Sequence, residues 1–377
     1  MPEHPEKGGR LSRSSSVPAR GSESRESRSG RMPPVPGHTL IVEPDDGRTA
    51  VLAAIEAATS SVDLTIYELS DPAVVSALIA AQGRRVQVRV LYNWFSFSSD
   101  DQTREVLPTV NRLRGAGVAC QPAPREFEVT HEKAFVIDGE SALVLTFNLT
   151  NQYFGTTRDF GIVTTMQEEV SEIAAVFQAD WNNQSISPTV PTLVWSPVNS
   201  RARLTALMAG AQKTLDVYCE EIDDPRTLDA LVAASKRGVR VRVITAVLAA
   251  GGTTNGNARG ITYLNAGGVD AVSKSFPIST PKGPVPLYMH AKAIVADQGT
   301  TSARAFVGSE NLSCVSLDDN RECGILVSEP AILDRIESTF ASDWAKPSVR
   351  VTPDSTPLTA CPGSSPSRKR ARLAGRP

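Results

Sequence analysis

The chain has 377 residues, 41% of them hydrophobic and 21% charged, enough to bury a full core in two domains or one large one. It has no run of 18 or more apolar residues and no apolar leader behind its charged start, so neither a membrane-spanning helix nor a signal peptide is expected, and a cytoplasmic location is. The net charge of −2 is unevenly spread: setting aside 14 basic and 5 acidic residues at the two ends leaves 25 basic against 36 acidic, a charge of −11 that disfavours broad contact with a nucleic-acid backbone.

Residues 1–36 are dense in Ser, Arg, Gly, Glu and Pro and contain almost nothing to bury, so they read as a disordered tail. The first ordered element expected is a short strand at Leu40–Val42, followed by Pro44 and a polar turn. Apolar residues at Val51, Leu52 and Ile55 then have helical spacing. A strand over Val62–Tyr67 leads into a helix that opens at Asp71-Pro72, where Asp suits the cap and Pro the first turn. An alternating strand from Val86 closes this unit. The loop beyond it holds Trp94, Phe95 and Phe97, a candidate wall for lipid contact or base stacking and equally a candidate for core packing.

The same grammar returns from residue 192. At a constant offset of 153, residues 39–91 and 192–244 align without a gap and share 19 identities in 53 pairs. The second copy has its own strand at Leu193–Trp195, helical spacing at Leu204, Leu207 and Met208, and a strand over Leu215–Cys219. An Asp224-Pro225 helix start and an alternating strand from Val239 follow. Strands alternating with helices imply an α/β fold with parallel or mixed sheets, so the chain divides into a 37–188 half, a 189–345 half and a basic, disordered tail over 346–377. The SRKRARL run in that tail could contact anionic lipid or nucleic acid, or act as a nuclear signal.

The repeat extends to residues able to carry chemistry. THEKAFVID contains His131, Lys133 and Asp138, and MHAKAIVAD contains His290, Lys292 and Asp297. In an alternating strand each His and Lys would share a face, whereas the two Asp have the opposite parity and read as turn residues. Asn148 and Asn311 lie downstream. Eleven residues after each stands an acid, Asp159 and Glu322, in an Arg-acid-X-Gly signature. Each half ends in a helix carrying F-x-x-D-W: Phe177, Asp180, Trp181 and Phe340, Asp343, Trp344. Five cysteines lacking zinc spacing or C-x-x-C pairing read as reduced thiols, with neither a disulfide nor a metal site expected.

At these residues the sequence resembles the phospholipase D superfamily, whose signature is H-x-K-x4-D followed by G-S-x-N, once in each half of a duplicated chain. The resemblance covers nearly all of residues 37–345. It implies two α/β/α halves, mixed sheets flanked by helices, related by a pseudo-twofold with one active site at their interface. It implies a phosphohistidine intermediate on His131, with His290 protonating the leaving alcohol and then deprotonating the incoming water or alcohol. Lys133 and Lys292 would clamp the phosphoryl oxygens, helped by Asn148, Asn311, Thr146 and Ser309. Asp159 and Glu322 would accept the proton on the rear nitrogen of each histidine. No metal or other cofactor is implied. The first half departs from the pattern, with Leu145-Thr146-Phe147-Asn148 where the second keeps Gly308-Ser309-Glu310-Asn311. The superfamily contains lipid hydrolases, cardiolipin-type synthases and nucleases. The leading expectation is a phospholipase D acting on phospholipid head groups, by hydrolysis or transfer, with peripheral membrane contact. The alternatives are a nuclease, a cardiolipin-synthase-like transferase, and an inactive binding module.

Overall fold

The structure is a computed structural model that describes residues 37–93, 102–250 and 254–361. The expected N-terminal tail, the aromatic loop at Trp94–Phe97 and the SRKRARL run lie outside the described residues. The first half contains strands β1 (His38–Glu43), β2 (Ser61–Ile66), β3 (Gln87–Tyr92), β4 (Ala119–Pro122), β5 (Ala134–Ile137), β6 (Ser141–Leu145) and β7 (Thr157–Thr164). Its helices are α1 (Thr49–Ala57), α2 (Pro72–Gly83), α3 (Gln102–Gly115) and α4 (Gln167–Trp181). Asp71 caps α2 by accepting from the Ala73 and Val74 amides, with Pro72 in the first turn.

The second half contains β8 (Leu193–Ser196), β9 (Thr214–Cys219), β10 (Arg240–Thr245), the short β11 (Ala249–Ala250) and β12 (Thr254–Asn255), and β13 (Asp270–Lys274). It continues with the hairpin β14 (Pro277–Thr280) and β15 (Gly283–Pro286), then β16 (Tyr288–Met289), β17 (Ala293–Ala296), β18 (Arg304–Gly308), β19 (Glu322–Val327) and β20 (Ser348–Val349). Its helices are α5 (Ser200–Gly210), α6 (Pro225–Lys236), α7 (Ala258–Ala266), α8 (Cys314–Asp318) and α9 (Pro330–Trp344). Asp224 caps α6 as Asp71 caps α2.

Each half is built on a mixed sheet. The orders are β1-β7-β6-β5-β2-β3-β4 and β20-β13-β10-β9-β17-β18-β19-β8, with β2, β3 and β4 parallel in one and β9, β10 and β13 parallel in the other. One face of each sheet packs under the helices of its own half, Val51, Ile55, Val74 and Leu78 in the first and Leu204, Met208, Leu228 and Leu231 in the second. The other faces, with α4 and α9, meet in a single core shared by both halves, where Phe160 and Val144 pack with Trp195, Tyr218 and Phe340. Fusing two apolar sheet faces in this way removes far more hydrocarbon from water than either half could alone.

The duplicated F-x-x-D-W helices tie the halves together. Asp343 of α9 receives Arg158 of β7 at 2.8 and 3.3 Å, and Asp180 of α4 receives Arg321 at 2.9 and 2.7 Å. Both pairs are buried and cross from one half to the other. Beside them, Arg89 lies over Phe177 and Trp181, and Arg242 over Phe340 and Trp344, each held by a two-pronged bond to Asp63 or Asp216.

Two expectations need correcting. The chain beyond Lys346 stays on the body as far as Cys361: β20 pairs with β13, and Val351 and Leu358 pack against the second core. The cysteines are also not all reduced, because Cys314 and Cys361 form a disulfide across 47 residues of chain. That pairing was invisible in the spacing because it depends on the tail folding back over α8. Cys120, Cys219 and Cys323 are free.

Candidate active site

The two H-x-K segments occupy equivalent places, and neither lies within a continuous strand as the alternation suggested. Each is a crossing. After β16 pairs in parallel with β7 of the other half, Tyr288 opposite Thr157 and Met289 opposite Arg158, the chain leaves that sheet at His290 and joins its own at Ala293. The His290 and Ala291 amides both donate to Arg158 O, at 3.2 and 2.9 Å. The first half mirrors this: Thr130 bridges Arg321, and the His131 and Glu132 amides both donate to Arg321 O, at 2.9 and 3.0 Å.

This exchange sets each histidine beside an acid of the opposite half. His131 Nδ1 lies 2.7 Å from Glu322 Oε2, and His290 Nδ1 lies 2.8 Å from Asp159 Oδ1. Both acids are fully buried and oriented by neighbours. Asp159 accepts from the hydroxyls of Thr146 and Thr157, each at 2.6 Å, while Glu322 accepts from Ser316 at 2.7 Å and Asn320 at 3.0 Å. With Nδ1 committed to a carboxylate, each Nε2 is left for chemistry.

The lysines curl back along their own segments. Lys133 Nζ donates to His131 O at 2.5 Å and lies 5.2 Å from the Tyr67 ring centroid. Lys292 Nζ donates to His290 O at 2.6 Å and sits 3.0 Å from His290 Nε2. The Tyr67 ring meets His131 edge-on at 4.9 Å, and Tyr153 meets His290 at 4.7 Å.

Burial dominates the electrostatics. It drives His131 down to about 4; Glu322 works against this, whereas Lys133 and Lys292 add to it, so His131 is neutral at pH 7. Lys133 is brought down to about 7 by burial, opposed by Glu322 and reinforced by Lys292. Lys292 therefore acts on both groups of the other motif. Burial opposes ionisation of Glu322, but His131, Lys133 and Asn320 outweigh it and hold the carboxyl low. Behind the paired acids lie two further carboxyls with no side-chain partner among the described residues, Glu43 opposite Asp159 and Glu310 near Glu322. Burial, then the neighbouring Asp159, pushes Glu43 up to about 9, so it is a neutral acid at pH 7; burial and Glu322 push the Glu310 carboxyl well above the usual carboxylate range.

The other candidate residues are each held in a local hydrogen-bond network. Thr146 donates to Asp159 and accepts from the Phe160 amide, so its hydroxyl orients an acid. Ser309 is engaged with Cys323 through both its N–H and its carbonyl. Asn148 Nδ2 donates to Glu68 and Asn311 Nδ2 to Glu220. Asp138 and Asp297 stand at positive φ, 55° and 56°, away from the histidines: Asp138 accepts from the amides of Thr59, Ser60 and Ser61, and Asp297 from those of Gln212, Lys213 and Thr214. Leu145 packs behind the site in the first core, where a Cβ on Gly161 would come within 2.7 Å of its side chain. In the second half Gly308 faces Gly324, and the Glu310 carboxyl fills that space.

The sequence reading missed Glu220. Its Oε2 accepts from Lys292 Nζ at 2.7 Å and from Asn311 Nδ2 at 3.3 Å, and lies 3.5 Å from His290 Nε2. Oε1 accepts from the Tyr288 hydroxyl at 2.6 Å. The alignment of the halves held a signal for it: Tyr67 in the first copy stands where Glu220 stands in the second. As for metals, Asp224, Cys314 and Cys361 come close together among the described residues, but both sulfurs are in the disulfide and Asp224 is committed to capping α6 and to Arg201.

The family described as cardiolipin synthase, PLD-like domain, matches twice, over residues 51–181 and 204–344. Among solved structures, phosphatidylserine synthase from Haemophilus influenzae Rd KW20 superposes with a TM-score of 0.58 at 14% identity, over 89% of this chain and 92% of that one. Polyphosphate kinase from Porphyromonas gingivalis gives 0.62 at 16% identity over 90% of this chain, which spans only 55% of the kinase. At such identities the likeness is one of fold. No curated protein matches the sequence.

Proposed function

The chain belongs to the phospholipase D superfamily, whose PLD-like domain it carries twice, and on that premise we propose that it is a phospholipase D-type enzyme that removes or exchanges phospholipid head groups. The observation that carries this reading is the pair of crossed histidine–acid couples, each with its own lysine. With Nδ1–H given to Glu322, neutral His131 presents the Nε2 lone pair as nucleophile. Attack on phosphorus forms the N–P bond and breaks the P–O bond to the head-group alcohol, whose oxygen takes the proton from His290 Nε2. Asp159 stabilises the imidazolium before that transfer. His290 then takes a proton from water or a second alcohol, whose oxygen displaces His131 and yields phosphatidic acid or a new diester.

The surroundings of His290 suit both of its states. Protonated, Nε2 has Glu220 at 3.5 Å as an acceptor; neutral, it has Lys292 at 3.0 Å as a donor. Lys133 and Lys292 supply positive charge beside the phosphoryl oxygens in a water-poor site, where charge counts for more than in solution. The acidic body favours a lipid substrate over a nucleic acid. Among the described residues no helix is long and apolar enough to cross a membrane, so contact with lipid would be peripheral.

The test is a panel of mixed phospholipids, single-stranded and duplex DNA and an aryl phosphodiester, with His131→Ala as control. Free head group without DNA cleavage is the expected result, together with a phosphate trapped on His131. DNA cleavage with untouched lipid would replace this reading with a nuclease, and equal turnover by His131→Ala would remove the catalytic assignment.

A further inference from the structure

Building on that reading, we infer that Glu220 selects the alcohol side of the substrate and favours a head group carrying a primary ammonium. The two motifs are unequal at this point. Lys133 has the Tyr67 ring beside it, whereas the equivalent place next to Lys292 holds a carboxylate. The ammonium of Lys292 has three N–H bonds, and three partners surround it: His290 O, His290 Nε2 and Glu220 Oε2. Protonation of His290 for its role as acid removes Nε2 as an acceptor and sets its N–H to share Glu220 Oε2 with the lysine, whose backbone bond to His290 O fixes the curl of the segment. Glu220 is the partner that a phosphodiester anion would displace.

That displacement leaves Glu220 short of a cation. Burial opposes its ionisation, and Lys292, His290 and Tyr288 hold it as an anion. Once Lys292 turns to the phosphate, the Tyr288 hydroxyl, the Asn311 amide and the His290 N–H remain, and when the His290 proton passes to the departing oxygen two anions lie side by side with 17% of the Glu220 side chain exposed. An ammonium on the departing or entering alcohol restores the balance: the phosphate takes the lysine, and the substrate's own N–H takes the carboxylate. The position fits the alcohol side because Glu220 lies against Nε2 of His290, the group that handles the alcohol proton. A quaternary ammonium has no N–H to replace the lost donor, and a plain alkyl group brings neither donor nor charge.

The measurement is kcat/KM for phosphatidylethanolamine against phosphatidylethanol in the same nonionic mixed micelles, for the full chain and for Glu220→Gln. The wild type should prefer the aminoethyl ester by at least about tenfold, and the substitution should bring the ratio within about threefold while phosphatidylethanol is still cleaved. A merely structural role would slow both esters equally, so an unchanged ratio overturns this inference and leaves the proposed activity standing. No cleavage of either lipid by the wild type overturns the proposed activity and this inference with it.

Discussion

His131 of the first half is held by Glu322 of the second, Nδ1 to Oε2 at 2.7 Å, while His290 of the second half is held by Asp159 of the first at 2.8 Å. The exchange follows from strand pairing, since β16 runs beside β7 and Thr130 beside Arg321. Under the proposed mechanism the two acids act through different histidines. Glu322→Gln should slow formation of the phosphohistidine, and Asp159→Asn should slow both its formation from a phospholipid and its breakdown, each on the order of 10²–10⁴-fold. Rapid-quench labelling with an activated aryl ester, whose departing oxygen needs no proton from His290, separates them: the adduct should build up in Asp159→Asn and stay below detection in Glu322→Gln. The reverse pattern would exchange the roles of the two histidines.

Acid and alkaline limits of activity follow from burial of the first motif. The proposed mechanism requires His131 neutral and Lys133 charged; the first condition holds above about 4 and the second below about 7. kcat/KM should therefore fall as pH rises through 7, because the free enzyme loses the Lys133 charge. A bound phosphodiester stabilises the ammonium, so kcat should persist to higher pH than kcat/KM. Coincident alkaline limbs would show that Lys133 does not meet the substrate anion.

Glu43 gives a stability prediction of definite sign. Its carboxyl titrates at about 9 in the fold and near 4.5 when unfolded, so the folded state binds the extra proton between those values and stability falls as pH rises across them. Glu43→Gln removes the titration. Its melting temperature relative to wild type should rise by roughly 4–8 °C between pH 5 and pH 8. A difference that does not change with pH would mean that Glu43 is not held neutral.

Breaking the Cys314–Cys361 link frees a segment whose other attachments are β20 and a few apolar side chains. Closing a loop of this size contributes about 2–4 kcal/mol. Cys361→Ser should lower the denaturation midpoint accordingly and abolish its dependence on reductant. Head-group release should persist, since the stretch that is freed, beyond Lys346, carries no member of either histidine–acid couple.

Much of the architecture could be read from the duplicated sequence, because strand and helix periods, Asp-Pro helix starts and the 153-residue offset are local patterns. The histidines, lysines and acids were legible as recurring residue types. Their exchange between halves was not, since pairing of β16 with β7 is a long-range contact that no spacing encodes. The bond from Thr146 to Asp159 was hidden for a related reason: in sequence Thr146 takes the serine's place in the G-S-x-N pattern, and only strand register sets it against the acid. Glu220 escaped notice because it differs from its counterpart Tyr67, and a search for repetition passes over the places where two copies have diverged. Leu145 looked like a lost glycine, yet Gly161 opposite it supplies the room.

The crossed couples also bear on what a severed chain could do. A cut in the stretch between α4 and β8 would leave two pieces, each with a nucleophile or proton carrier but with its orienting acid on the other piece. Each alone would be inert, and mixing them should restore turnover in proportion to their association. Activity would then report whether the two pieces had found each other.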